Sequence, residues 1–407
     1  MNSPEIATRT TKMNALKMTL PSEKSVHPSV LIIPFYTSML ISADSQLSRW
    51  LFNFFALFIA YTLWDKRKEL PGRLNSSALL GVALIFYTMA TLFWGEGDAF
   101  SSYIRWGTGL LFFWLGLIFI SCSPKEKLKE TALHLCIATL AVCIYTILNY
   151  FFSSDAPSRN MGPGIIQHPI MGPSILIAVS ASAVMMLQAL GKFPTKLAAI
   201  LFSCLLIYTL TTASRGPLLA LGAWGAALCL TSPVPQKTKW IAVLATCLSL
   251  IILYAVIPDF FHSLIARGST HRIDIWAATI KTLEDTLFFG RGINLKFVDT
   301  ELSQSLVPVT ELHIQHPHNL GLSTWVYSGL TGVILLFATT ISAPLIMAKK
   351  NMSYLIAAIP AITAALFLSL TDLSKLIAPP SAIWFIFWLP FGFIAGLSHR
   401  NDLKEHL

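Results

Sequence analysis

Apolar residues along the chain come in long blocks rather than at the three-to-four or alternate spacing of water-facing elements. Most blocks approach the roughly 20 residues an α-helix needs to cross a bilayer. Twelve stand out, at about 29–43, 50–64, 77–95, 105–122, 131–153, 169–190, 195–212, 216–231, 240–257, 318–348, 353–371 and 380–398. The pattern predicts an all-α polytopic membrane protein with about 12 transmembrane helices. It predicts one transmembrane domain over 29–398, polar tails at 1–28 and 399–407, and one long loop over 258–317.

Composition narrows the class. Hydrophobic types make up 54% of the 407 residues and charged types 12%, about half the charge fraction of an ordinary soluble domain. Disorder is excluded by 26 Phe and 11 Trp. The six cysteines, Cys122, Cys136, Cys143, Cys204, Cys229 and Cys247, sit in or beside apolar blocks without CxxC or zinc spacing, and read as small apolar fillers. The first 28 residues read as a cytoplasmic tail rather than a cleavable signal, because the apolar run starts late and continues into further spans.

The charge distribution orients the chain. With the N-terminus inside and twelve crossings, 19 of the 29 basic residues fall on the inner face, and each inner segment carries at least two. This is the positive-inside pattern, with both termini cytoplasmic. The inner set holds four Arg and fifteen Lys, whereas the outer set of ten holds seven Arg. A topology signal needs only charge. Arg adds a planar fork that grips phosphate and stays charged when partly buried. An anion held at the outer surface accounts for the bias, and so does chance in a small sample.

Several outer-face segments are chemically informative. Thr211-Thr212-Ala213-Ser214-Arg215-Gly216-Pro217 joins two blocks with almost no loop, so Arg215 stands beside a helix N-terminus, an anion site. The bland alternative is an arginine snorkelling to headgroups. His316-Pro317-His318-Asn319 closes the long loop. His318 at a helix start suits a neutral, basic imidazole, and Asn319 suits a substrate hydroxyl; a helix cap or a metal pair are the alternatives. A metal would want a third ligand, for which His313, Glu311 and His271 are loose candidates. Arg272 follows His271, and Arg291 lies between Gly290 and Gly292. The loop 153–168 carries Arg159 and His168, and Arg105 opens the fourth block; all three are candidates for the same mouth, with ordinary loop polarity as the alternative for each and the favoured reading for His168.

Within the long loop, Ile273, Trp276, Ile280, Leu283 and Leu287 repeat at helical spacing. They predict an amphipathic helix over 271–287 that packs on the membrane or roofs a cavity, with Ser269 and Thr270 as N-caps. No P-loop or nucleotide fingerprint is present. No charge lies deep in a block, and the two halves are not alike, which disfavours a carrier. Glu96 and Asp98 come nearest to an acidic pair for a metal–diphosphate.

Ser214-Arg215-Gly216, the His318-Asn319 pair, and Gly329 and Gly332 about ten residues later together resemble the bacterial O-antigen ligases. These sit in a wider group with O-antigen polymerases and protein O-oligosaccharyltransferases. The resemblance implies a GT-C-like architecture and an inverting transfer at the periplasmic face of the Gram-negative inner membrane. The implied donor is polysaccharide on undecaprenyl diphosphate. The implied acceptor is a sugar hydroxyl of lipid A–core. Membrane lipids surround the protein and no nucleic acid takes part; neither cofactor nor metal is needed. On this resemblance Arg215 and His318 are the catalytic residues, with Arg272, Arg291, Arg159, Arg105, His316 and Asn319 contacting diphosphate or core. A polymerase or a protein O-oligosaccharyltransferase would use the same donor. A transporter of the lipid-linked glycan would not need His318.

Overall fold

The structure, a computed structural model, describes residues 29–41, 46–65, 74–153, 159–191, 194–256, 271–283, 287–310, 313–371 and 373–400. Its helices are, in chain order, α1 (Ser29–Ile41), α2 (Gln46–Asp65), α3 (Ser76–Ala90), α4 (Phe100–Ser121), α5 (Lys125–Phe152), α6 (Met171–Ala189), α7 (Thr195–Thr211), α8 (Arg215–Thr231), α9 (Gln236–Val256), α10 (Arg272–Lys281), α11 (Glu301–Thr310), α12 (Leu320–Lys350), α13 (Met352–Thr371) and α14 (Leu389–Leu397), with a π-helical turn at Trp384–Trp388 before α14. No strand occurs among the described residues.

Each of the twelve apolar blocks falls on one of these helices. Six elements are long and apolar enough to cross a membrane: α3 with its extension to Phe93, α4, α5, α6, α12 and α13. The N-terminal tail, the C-terminal tail past Arg400, and Arg267, Ser269, Thr270, Glu284, Asp285 and Glu311 lie outside the described residues.

Of these six elements the most enclosed is α6, with 89% of its apolar window buried. Its run Ser180-Ala181-Ser182-Ala183 has small side chains that let α5, α8 and α13 approach closely, the usual packing where lipid supplies no hydrophobic drive between helices. A hairpin turned at Asn351 sets α13 antiparallel to α12. Its far end meets the start of α8, where a side chain at Gly216 would sit 3.1 Å from Thr371. The starts of α8 and α12 therefore lie at the same end of the bundle as the end of α13.

The loop between α13 and α14 is held from below. Trp384 Nε1 donates to the Ala378 carbonyl at 3.1 Å, and Trp388 Nε1 to that of Leu376 at 3.0 Å. Both indoles are buried and so need acceptors. Trp384 also packs on Phe113, with ring centroids 5.0 Å apart, which anchors the π-turn against α4.

α12 is broken at Gly329, whose φ of 65° and ψ of −171° suit glycine alone. The break frees buried backbone groups, which must find other partners. Segment 287–292 supplies them. Arg291 and Gly292 N–H donate to the Val326 and Tyr327 carbonyls at 2.8 and 3.0 Å, while Leu330 and Thr331 N–H donate to the Leu287 and Phe288 carbonyls at 2.8 and 3.3 Å. The Tyr87 hydroxyl takes the Ser328 carbonyl at 3.0 Å. A side chain on Gly290 would collide with the Gly329 backbone, so the two chains meet glycine against glycine.

The loop helix differs from the sequence expectation. It ends at Lys281, and its buried face is Ile275 and Thr279, continued by Leu283 beyond its end. Ile273 and Ile280 are 65% and 57% exposed. Helical spacing defined an apolar flank, but the neighbouring elements occupy the flank beside it.

Candidate functional site

Arg215 opens α8 directly after a turn with left-handed backbone at Ala213, φ 51°. Loop 159–169 is fastened onto this turn. Asn160 N–H donates to the Thr211 carbonyl, and its side-chain amide to the Thr211 hydroxyl, both at 2.9 Å. Arg159 Nε donates to the Thr212 carbonyl at 2.8 Å, and Nη2 to Ser214 Oγ at 2.9 Å. Ser214 in turn donates its hydroxyl to the Pro169 carbonyl at 2.6 Å. The serine is thus turned away from α8, whose N-terminus has no side-chain cap. The result is a half-buried corner with two guanidinium groups at a helix N-terminus, a combination that attracts anions.

At the same end of the bundle, His318 precedes α12 with φ 55°. Its N–H donates to His316 Nδ1 at 3.2 Å, and the two imidazole centroids are 4.1 Å apart. That contact makes His316 Nδ1 the acceptor and so fixes its tautomer. Asn319 accepts from Leu322 N–H at 3.1 Å and caps α12. The indole of Trp276 on α10 donates to the Pro317 carbonyl, between the two histidines, at 3.0 Å. Arg272 is one turn earlier on that helix, on the same flank as Trp276. Trp276 thereby ties α10, the helix that Arg272 opens, to the His316–His318 segment.

Other candidates are placed differently. Arg291 holds Glu96 through both arms of its fork, at 3.0 and 2.5 Å. Arg105 is exposed on α4, whose main neighbours are α2, α3 and α14 rather than the helices of the arginine corner. His168 caps α6, its Nδ1 accepting from Ile170 and Met171 N–H at 3.2 and 3.3 Å. Among the described residues no group of three His, Cys, Asp or Glu is arranged to hold a metal ion.

Among the described residues, four non-glycine positions have left-handed backbone: Ala99, Ala213, His271 and His318. One is His318 itself; two others immediately precede Ser214-Arg215 and Arg272. Such backbone costs about 1–3 kcal/mol and gathers where geometry is held for function.

Lys375 was not singled out by the sequence. It lies in the α13–α14 loop, and its ammonium donates to Tyr103 Oη at 2.8 Å and to the Ile293 and Leu295 carbonyls, each at 2.7 Å. Burial lowers its pKa to about 8. The available signal was that it is one of only three lysines on a face otherwise dominated by arginine.

No curated protein matches the chain. A family model described as O-antigen ligase matches residues 198–337, from α7 to past the break in α12. The matched stretch contains Arg215, Arg272, Arg291, His316, His318 and Asn319, while Arg105 and Arg159 precede it. Over these residues, about a third of the chain, the sequence is similar to the O-antigen ligase family model.

Proposed function

We propose that the protein is an inverting, metal-independent O-antigen ligase. Its donor is O-antigen on undecaprenyl diphosphate, and its acceptor a sugar hydroxyl of lipid A–core, joined at the periplasmic face of the inner membrane. The observation that carries this reading is the pairing at one end of the bundle. The Arg159–Ser214–Arg215 corner sits at an uncapped helix start, and the His318 segment is bonded to Trp276 of α10, the helix that Arg272 opens.

Arg215 holds the donor diphosphate and offsets the charge that grows on it as the glycosidic C–O bond breaks. Arg159 fixes the corner and adds its charge. The acceptor oxygen attacks the anomeric carbon from the opposite face, and its proton passes to the imidazole of His318. Undecaprenyl diphosphate leaves with the bonding electron pair. Arg272 supplies a further cation beside the histidines, and His316 orients His318. Arg291 is engaged with Glu96 and serves the architecture of the α12 break, as Asn319 does through its cap. Arg105 is the outermost assignment, an exposed core-phosphate contact on α4. Holding two lipid-anchored substrates in one membrane plane supplies much of the rate advantage.

The test is reconstitution in detergent with undecaprenyl-diphosphate O-antigen and lipid A–core, with chelator and without ATP. A lipopolysaccharide ladder that disappears with Arg215→Ala or His318→Ala supports the ligase. Longer glycan on the undecaprenyl carrier, when that donor is supplied alone, would make the protein a polymerase and overturn the acceptor assignment.

A further inference from the structure

The proposed site has two halves on different helices, α8 and α12, and transfer requires that their separation be fixed. α12 is about three turns longer than its antiparallel partner α13, so its first turns, up to the break at Gly329, run past the end of α13. Beyond that point α13 no longer fixes their position. The elements that meet them are segment 287–292, α3 through Tyr87, and the α13–α14 loop through Lys375. We propose that Lys375 in this loop is a positioning residue that holds the histidine end of α12 in register with the arginine corner on α8. This inference rests on the ligase reading for its consequence, but its geometry stands independently.

All three ammonium protons of Lys375 are used, one on Tyr103 of α4 and two on carbonyls of segment 290–297. The nitrogen also lies 4.6 Å from the ring centroid of Tyr327, in the projecting part of α12, and 5.1 Å from that of Tyr103. Segment 290–297 in turn donates Arg291 and Gly292 N–H to the broken turn of α12. Lys375 therefore holds the projecting half-helix both directly, through Tyr327, and through that segment. On its other side the loop follows Thr371, which packs on Gly216 beside Arg215. Two tryptophan N–H groups hold the loop itself, through the Leu376 and Ala378 carbonyls just after Lys375. Among the described residues, the other charged side chains around this arrangement are Glu96, paired with Arg291, and the exposed Asp98, Lys296, Asp299 and Arg105.

The test combines hydrogen exchange with steady-state kinetics on the full-length protein in detergent. Lys375→Met keeps the stem and removes the three donors. Amide exchange at residues 291–293 and 326–331 should rise at least tenfold while α6 stays protected. In the ligase assay kcat should fall at least tenfold with donor KM changed less than threefold, because the diphosphate corner stays intact. Lys375→Arg should recover part of kcat. Unchanged exchange at 291–293 overturns the inference, whatever the activity. Wild-type protein inactive in the ligase assay, with exchange raised in Lys375→Met, overturns the ligase reading and leaves the latch standing. Where Lys375→Met does not yield folded protein, Tyr103→Phe removes one acceptor only and should raise exchange at 291–293 about threefold; no change there overturns the proposal.

Discussion

Arg159 donates through Nη2 to the hydroxyl of Ser214, 2.9 Å away and 55 residues later in the chain. With its Nε bond to the Thr212 carbonyl, this makes the arginine a clamp across the turn that launches α8. The turn contains left-handed Ala213, so its shape is imposed by partners rather than preferred by the chain. Replacing Arg159 by Ala removes two charge-assisted hydrogen bonds, each on the order of 1.5–3 kcal/mol. Ligase activity should fall at least tenfold and the melting temperature in detergent should drop. Arg159→Lys should rescue little, because an ammonium lacks the fork. Full activity in Arg159→Lys would show that charge alone suffices.

His316 and His318 should differ in what they contribute. General-base catalysis contributes roughly 10²–10⁴-fold, so His318→Ala should lower kcat within that range. His316→Ala removes only the acceptor for the His318 N–H and a ring contact, and should cost about tenfold or less. Equal losses in the two variants, measured as kcat in the reconstituted reaction, would place the base elsewhere. A lipid-linked-glycan transporter would keep most of its flux in His318→Ala.

Gly329 is the residue that permits the α12 break. Gly329→Ala forces an alanine into left-handed backbone, costing about 1–2 kcal/mol, and drives its methyl into the Phe288 backbone. Yield of monodisperse protein should fall sharply. Gly222→Ala, in the middle of α8 with open space around it, should leave yield and melting temperature unchanged. Tolerance of Gly329→Ala would mean that the break is not required.

The lowered pKa of Lys375, about 8, makes stability and activity respond oppositely to alkali. Folding holds the ammonium at a desolvation cost. That cost is present in full below about pH 8 and disappears as pH rises toward the unfolded value of 10.5. Over that window the unfolded chain binds more protons, so this group's contribution to stability increases with pH. The neutral amine, however, keeps only two donors for three acceptors, so kcat should decline above about pH 8. In Lys375→Met both trends should vanish, as read from melting temperature and pH–rate profiles. A wild-type profile flat through pH 9 would contradict the assignment.

The sequence by itself determined the class and most element boundaries. In a bilayer every backbone polar group has to be satisfied within its own helix, so apolar blocks of sufficient length become helices wherever they occur. It also marked Arg215, His318 and Asn319, because a loopless turn and a helix start are local features. What it left open depended on contacts between segments far apart in the chain. Arg291 and Glu96 are 195 residues apart, so nothing nearby in the sequence of either names its partner. The apolar spacing around Trp276 showed that a helix was present, yet only its neighbours decided which flank is buried. Lys375 looked like an ordinary loop cation until Tyr103, Ile293 and Leu295 were folded around it. The break at Gly329 was visible as one glycine of a pair, but its purpose appeared only with the segment that satisfies it. Helix formation is a local balance of backbone hydrogen bonds and apolar length, and the chain states it directly. The site is a set of distances among distant residues, and packing of the helices decides those.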